Sequence, residues 1–202
     1  EWVVPQSGEY TLQVSGAMGG SAFEYPYQTS NVLHGGYGAN MKGDLPLVAG
    51  DVLYILIGQK GANFLNDDDR GGGGGGGTYI IKDDGIPLII AGGGGGAGNG
   101  YHYSSGGGYP FSSGGTEETN GIDGQDLYQS NYYGYGGNNG NGGTAGYYSG
   151  SGAGLHSNGE NGFGGSSHAK GGNRFAEGGT GGCGYNNNCT NANNTDGVWG
   201  GF

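Results

Sequence analysis

The residues of this chain with chemistry to offer are four histidines, an aspartate run, two cysteines and two glycosylation sequons. His34, His102, His156 and His168 are too scattered for any zinc-ligand spacing and read as exposed loop residues. Asp67-Asp68-Asp69 has the carboxylate density that Ca²⁺ prefers, but it also reads as a plain solvated acidic loop. Gly121-Ile122-Asp123-Gly124-Gln125-Asp126-Leu127 shares part of a Ca²⁺-binding nonapeptide, but it occurs once and misses key positions. Gly58-Gln59-Lys60-Gly61 lacks the loop length and the Ser or Thr of a phosphate-binding loop. No nucleophile–base pair or paired carboxylates emerge, so the expectation is no enzyme, no metal and no cofactor.

Cys183 and Cys189 enclose five residues in an Asn-rich loop. The even count and close spacing suit one small disulfide; a pair of free thiols is the alternative. Asn188 (Asn188-Cys189-Thr190) and Asn193 (Asn193-Asn194-Thr195) are N-x-[ST] sequons on the same loop. Together the cysteine pair and the sequons point to an extracellular or cell-surface location.

The net charge is −11, from 17 acids against 6 bases. Such a surface repels phosphate, which disfavours nucleic acid and anionic membranes as partners. No apolar stretch approaches 18 residues, so no membrane insertion is expected in this chain. No signal peptide is visible, and Glu1-Trp2 reads as a trimmed or mature start.

The elements that must position these residues are unusual, because 57 of the 202 residues are Gly. Collagen is excluded, since there is no G-X-Y period and only five Pro. Tyr10, Leu12 and Val14 alternate with Thr11, Gln13 and Ser15 between Gly8 and Gly16, the period-2 signature of a half-buried strand. Val52–Ile57 is a continuous apolar run after the Gly50-Asp51 turn, and predicts a strand buried on both faces. Thr78–Ile81 and Pro87–Ala91, joined through Asp84-Gly85, predict a β-hairpin. Helix is disfavoured throughout, since each interior Gly costs about 1 kcal/mol against Ala.

Two glycine runs continue the hairpin strands outward. They are Gly71, Gly72, Gly73, Gly74, Gly75, Gly76 and Gly77 on one side, and Gly92, Gly93, Gly94, Gly95 and Gly96 on the other. Such runs are costly to order and often serve as loose linkers. Here they join rigid strands within a few residues. The alternative is packed polyglycine-II helix, with three residues per turn and about 3.1 Å rise per residue. Without a Cβ, neighbouring chains approach closely enough to share backbone hydrogen bonds. A central helix must then be pure Gly, whereas a peripheral one needs Gly only on its inner side. The tyrosines, 16 in all, would cover such a bundle or form a carbohydrate- or partner-binding surface.

Pro5–Tyr10, Gly16-Ala17-Met18-Gly19-Gly20, Gly50–Gly61, Gly71–Tyr79, Pro87–Gly92 and Val198–Phe202 follow one another in an order that resembles a known family. It is the glycine-rich extracellular domain of the anaplastic lymphoma kinase and leukocyte tyrosine kinase receptors. The match is specific over residues 44–96 and is mainly compositional in the later half. The resemblance implies a β-sandwich resembling a tumour-necrosis-factor jelly roll, joined to a polyglycine-II bundle, and an extracellular protein ligand. It also makes the stop at Gly201-Phe202 look like an interruption.

The expected fold is therefore mainly β, a jelly-roll-like sandwich with a polyglycine-II bundle and essentially no α-helix. Residues 1–202 form one domain, with strands mostly in 1–70 and the hairpin, bundle and Gly/Asn/Tyr-rich loops in 71–202. The expected function is a non-enzymatic extracellular structural module that self-associates, such as a subunit of a glycosylated surface or matrix fibre. A receptor ectodomain with a protein ligand, or a glycan-binding adhesin, is the alternative.

Overall fold

The computed structural model describes residues 1–23, 32–63, 71–98, 134–146, 148–163 and 169–184. Among them there are eight β-strands, one three-residue 3₁₀ turn at Phe175–Glu177, and no α-helix. The strands are β1 (Trp2–Val3), β2 (Gly8–Ser15), β3 (Ala22–Phe23), β4 (Val32–Leu33), β5 (Asn40–Leu47), β6 (Val52–Leu56), β7 (Thr78–Lys82) and β8 (Pro87–Ala91). All pairings are antiparallel. One sheet has the order β1-β6-β7-β8; β2 pairs with β5, and β3 with β4.

The alternation in β2 works as read from the sequence. Tyr10, Leu12 and Val14 turn inward while Thr11, Gln13 and Ser15 are exposed. Its partner β5 carries the same period on Met41, Gly43, Leu45 and Leu47, with Leu12 opposite Gly43. This β2–β5 ribbon lies over β7 and β8, making a sandwich. Val4, Val14, Leu47, Leu53, Ile80 and Ala91 form the buried core between the layers. Trp2 and Tyr10 close one side edge-to-face at 5.8 Å between ring centroids.

The hairpin β7–β8 turns through Lys82-Asp83-Asp84-Gly85. The Gly85 amide donates to the Lys82 carbonyl (2.8 Å), and Gly85 takes φ +84°. This is a type I turn closed by a left-handed glycine, a common hairpin solution. Asp51 and Lys82 pair at 2.8 Å beside it.

The expectation that Val52–Ile57 is buried on both faces is corrected. Leu53 and Leu56 are buried, but Tyr54 is 45 %, Ile55 41 % and Ile57 70 % exposed. Two features explain this. The ribbon covers β7 and β8 rather than β6. The outer neighbour β1 pairs only with Val52 and Leu53, leaving the rest of β6 at the sheet edge. The doubly covered strand is instead β7, in which Thr78, Tyr79, Ile80 and Ile81 are all buried. Its second face packs Leu56, Tyr79 and Ile81 against Leu155 and Phe175 from the glycine-rich part.

Candidate functional site

The feature that distinguishes this molecule is the set of contacts around Gly71–Gly77, all seven of which are buried. The amides of Gly72 and Gly75 donate to the carbonyls of Ala97 and Gly94. Those of Gly73 and Gly76 donate to Ala62 and Gln59, and that of Gly74 to Lys170. In return, the Gly72 and Gly75 carbonyls accept from the Gly150 and Ala153 amides. The Gly73 and Gly76 carbonyls accept from Gly20 and Ala17, and that of Gly74 from Gly182.

Two regularities follow from these bonds. Four of the neighbours are met twice, at residues three apart rather than two as in a β-ladder, and the Lys170 and Gly182 segments are met once, at Gly74. Six different chain segments surround the run. Their bonds measure 2.7–3.2 Å, so every donor and acceptor from Gly72 to Gly76 is satisfied at ordinary length. The same step of three recurs outside the centre. Gly16 and Gly19 donate to Ala39 and Gly36, and Gly36 and Ala39 donate to Gly95 and Gly92.

Close approach is what requires glycine here. A Cβ on any residue of Gly71–Gly76 would collide with the backbone of a neighbouring segment. On Gly77 it would strike the Tyr79 ring. The second run is more peripheral. A Cβ on Gly93, Gly94 or Gly96 would collide with backbone, whereas one on Gly95 would meet nothing within 4 Å.

Two side chains fasten this region to the sandwich. Thr78 Oγ1 donates to the Ser15 carbonyl (2.7 Å) and accepts from the Gly58 amide (3.0 Å). Tyr79, fully buried, donates its hydroxyl to the Gly154 carbonyl (2.7 Å), with its ring edge-to-face on Phe175. Burial pushes the Tyr79 phenol up to about 12, partly countered by a backbone hydrogen bond from Phe175. On the sandwich side, the Lys82 ammonium and then the Val48 amide hold the Asp51 carboxyl below its ordinary value. Gln59 sits among the packed segments with both side-chain polar atoms buried and without a partner.

The chemistry-bearing residues do not converge. Among the described residues no three His, Cys, Asp or Glu side chains could hold a metal ion. Also among them, no helix is long and apolar enough to cross a membrane. His34 lies between β4 and β5, far along the chain from His156, whose amide donates to Gly140. Cys183 is buried, and its carbonyl accepts from the Lys170 amide (2.8 Å). Cys189, Asn188, Asn193, Asp67–Asp69, His102, His168 and Gly121–Leu127 lie outside the described residues.

Sequence reasoning missed the early contributors to the packed segments. Residues 17–20, 36–39 and 59–62, all from the strand-rich first third, hydrogen-bond into the glycine region. The short clusters Gly19-Gly20 and Gly35-Gly36 were the available signal. No family model matches the chain, and no curated protein matches it.

Proposed function

We propose that this chain is a non-enzymatic extracellular structural module that self-associates, serving as a subunit of a glycosylated surface or matrix fibre. The observation that carries this reading is the β6 edge. Tyr54 and Ile55 on β6, and Ile57 just past its end, are exposed, and β1 covers that strand over only two residues. An apolar, unblocked strand edge is a template for pairing with another chain.

The rest of the reading is a rigid body behind that edge. We take the glycine segments as polyglycine-II helices packed around Gly71–Gly77. The step of three, the six neighbours and the absence of positive φ in either run support this. The β2–β5 ribbon over β7–β8 suits the jelly-roll-like half that the receptor resemblance implies. A Cys183–Cys189 disulfide and glycans on Asn188 and Asn193 belong to the same extracellular reading, and the burial of Cys183 suits a structural bridge.

Negative-stain microscopy of the native material tests it. Filaments or laterally joined particles are expected, and Ile57→Lys should disperse them by placing a charge on the edge. Uniform monomeric particles at every concentration would overturn it and favour a binding module.

A further inference from the structure

We propose that Asn139 is a self-modifying site, where the chain converts its own asparagine to aspartate and isoaspartate through a succinimide. In this reaction the Gly140 nitrogen attacks the Asn139 side-chain carbonyl carbon. The new N–C bond closes a five-membered imide, and the side-chain nitrogen leaves as ammonia, carrying away the amide proton. Water then opens the ring at either carbonyl. No enzyme, cofactor or oxidant is needed. What decides the rate in a folded chain is whether the glycine nitrogen and the asparagine side chain are free to meet.

Four Asn-Gly steps lie among the described residues, and the fold treats them differently. Gly159 donates its amide to the Gly172 carbonyl (3.0 Å), and the Asn158 side chain is held by Glu177 and the Arg174 amide. Gly162 donates to Ala169 (2.9 Å), and Asn161 accepts from the Gly171 amide. Gly142 donates to Ser157 Oγ (3.0 Å). At Asn139-Gly140 neither the side chain nor the Gly140 amide has a hydrogen bond.

The local backbone is also distinctive. Asn139 (φ +49°) and Gly140 (φ +76°) are the central pair of a tight turn closed by the Asn141 amide on the Asn138 carbonyl (2.8 Å). Positive φ at both central residues defines a type I′ turn, for which Asn-Gly is the preferred pair. Asn138 and Asn139 are exposed. Opening an exposed two-residue turn costs little, whereas freeing Gly159 or Gly162 means parting packed segments. Each conversion adds one negative charge, and the isoaspartate form also lengthens the backbone at the turn.

The test is time-resolved peptide mapping of the full chain held at mildly alkaline pH, with and without urea. In native buffer Asn139 should convert at least about fivefold faster than Asn141, Asn158 or Asn161, the factor one broken hydrogen bond supplies. In urea the four rates should converge. Ser157→Ala removes the acceptor for Gly142 and should raise the Asn141 rate by a similar factor. Equal native rates at the four sites would overturn the proposal, as would the same ranking in urea or no response of Asn141 to Ser157→Ala.

Discussion

Replacing Gly74 and Gly95 by alanine, one at a time, should move stability in opposite directions. A Cβ on Gly74 would overlap the Ser151 carbonyl and come within 2.8 Å of the Gly172 nitrogen. Both are backbone atoms that no rotamer change can move aside. Overpacking alone costs about 1–3 kcal/mol. Pushing the segments apart also strains the Gly74 amide bond to Lys170 (2.9 Å) and its carbonyl bond from Gly182 (2.7 Å). Each buried group left unpaired costs about 1–3 kcal/mol more. The expected loss is about 3–9 kcal/mol, against the about 5–15 kcal/mol that holds a typical domain together. At Gly95 the added methyl meets nothing within 4 Å, and φ is not positive. There alanine only narrows the unfolded ensemble and should stabilise by about 0.4–1 kcal/mol. Thermal unfolding reads both, because about 1 kcal/mol moves the midpoint by about 2–4 °C at this size. Gly95→Ala should rise by about 1–4 °C, while Gly74→Ala should fall by about 6 °C or more, or fail to fold. Hydrogen exchange on the unaltered chain covers the second case. The Gly72–Gly76 amides should be among the slowest, and exchange at the rate of a free linker would refute the packing account, as would equal midpoints for the two variants.

Tyr79→Phe keeps the ring against Phe175 but strands the Gly154 carbonyl, so it should cost about 1–3 kcal/mol in urea titration. Because the folded phenol ionises near 12, above its ordinary 10, the unaltered chain should lose stability as pH rises from about 10 through about 12. The Phe variant should lack that component of the loss, and an unchanged alkaline profile would speak against Tyr79 as the buried anchor. Asp51 is shifted the other way, so its contribution is present above the ordinary carboxylate value and lost as pH falls through the lowered one. Asp51→Asn should therefore flatten the acid side of the stability profile. Gln59→Met replaces an unpartnered buried amide with an apolar chain of similar length and should stabilise by about 1–3 kcal/mol. A loss instead would mean the amide is satisfied in solution.

The strands whose signal is local were readable in the sequence. The alternation of Tyr10, Leu12 and Val14 and the Asp84-Gly85 turn each depend on a few adjacent residues, and both stand in the fold as expected. β5 escaped notice because Gly43 and Pro46 interrupt its period, although Gly43 keeps the register as the residue opposite Leu12 across the ribbon. The misreading of Val52–Ile57 has a different origin. Apolarity records what a strand could bury, and the partners that fail to cover β6 are set by the brevity of β1 and the placement of β2–β5. The contributors from residues 17–20, 36–39 and 59–62 were harder still. Glycine carries no side-chain pattern, so nothing local says which carbonyl a given amide will meet.

That absence of side-chain pattern bears on how the two halves cohere. In the sandwich, cohesion comes from apolar area, and Leu53 or Ile80 could be traded for a residue of similar volume at modest cost. Around Gly71–Gly77 the backbone itself is the packed interior, and specificity comes from pairing each donor with one acceptor at a step of three. Ordering so much glycine is entropically expensive, and each hydrogen bond returns only about 1 kcal/mol net. No single pair of segments can hold together on those terms. The central run therefore depends on all six neighbours being present at once, and each neighbour depends on the run. Such a lattice has few stable partial states, so it should melt as one unit rather than fray segment by segment. The hairpin explains where order begins. Thr78 and Ala91 are paired at the point where both runs leave the sheet, so β7–β8 delivers Gly71–Gly77 and Gly92–Gly96 side by side in antiparallel register. A sheet stabilised by side chains thus supplies the first two rows of a structure that side chains cannot specify.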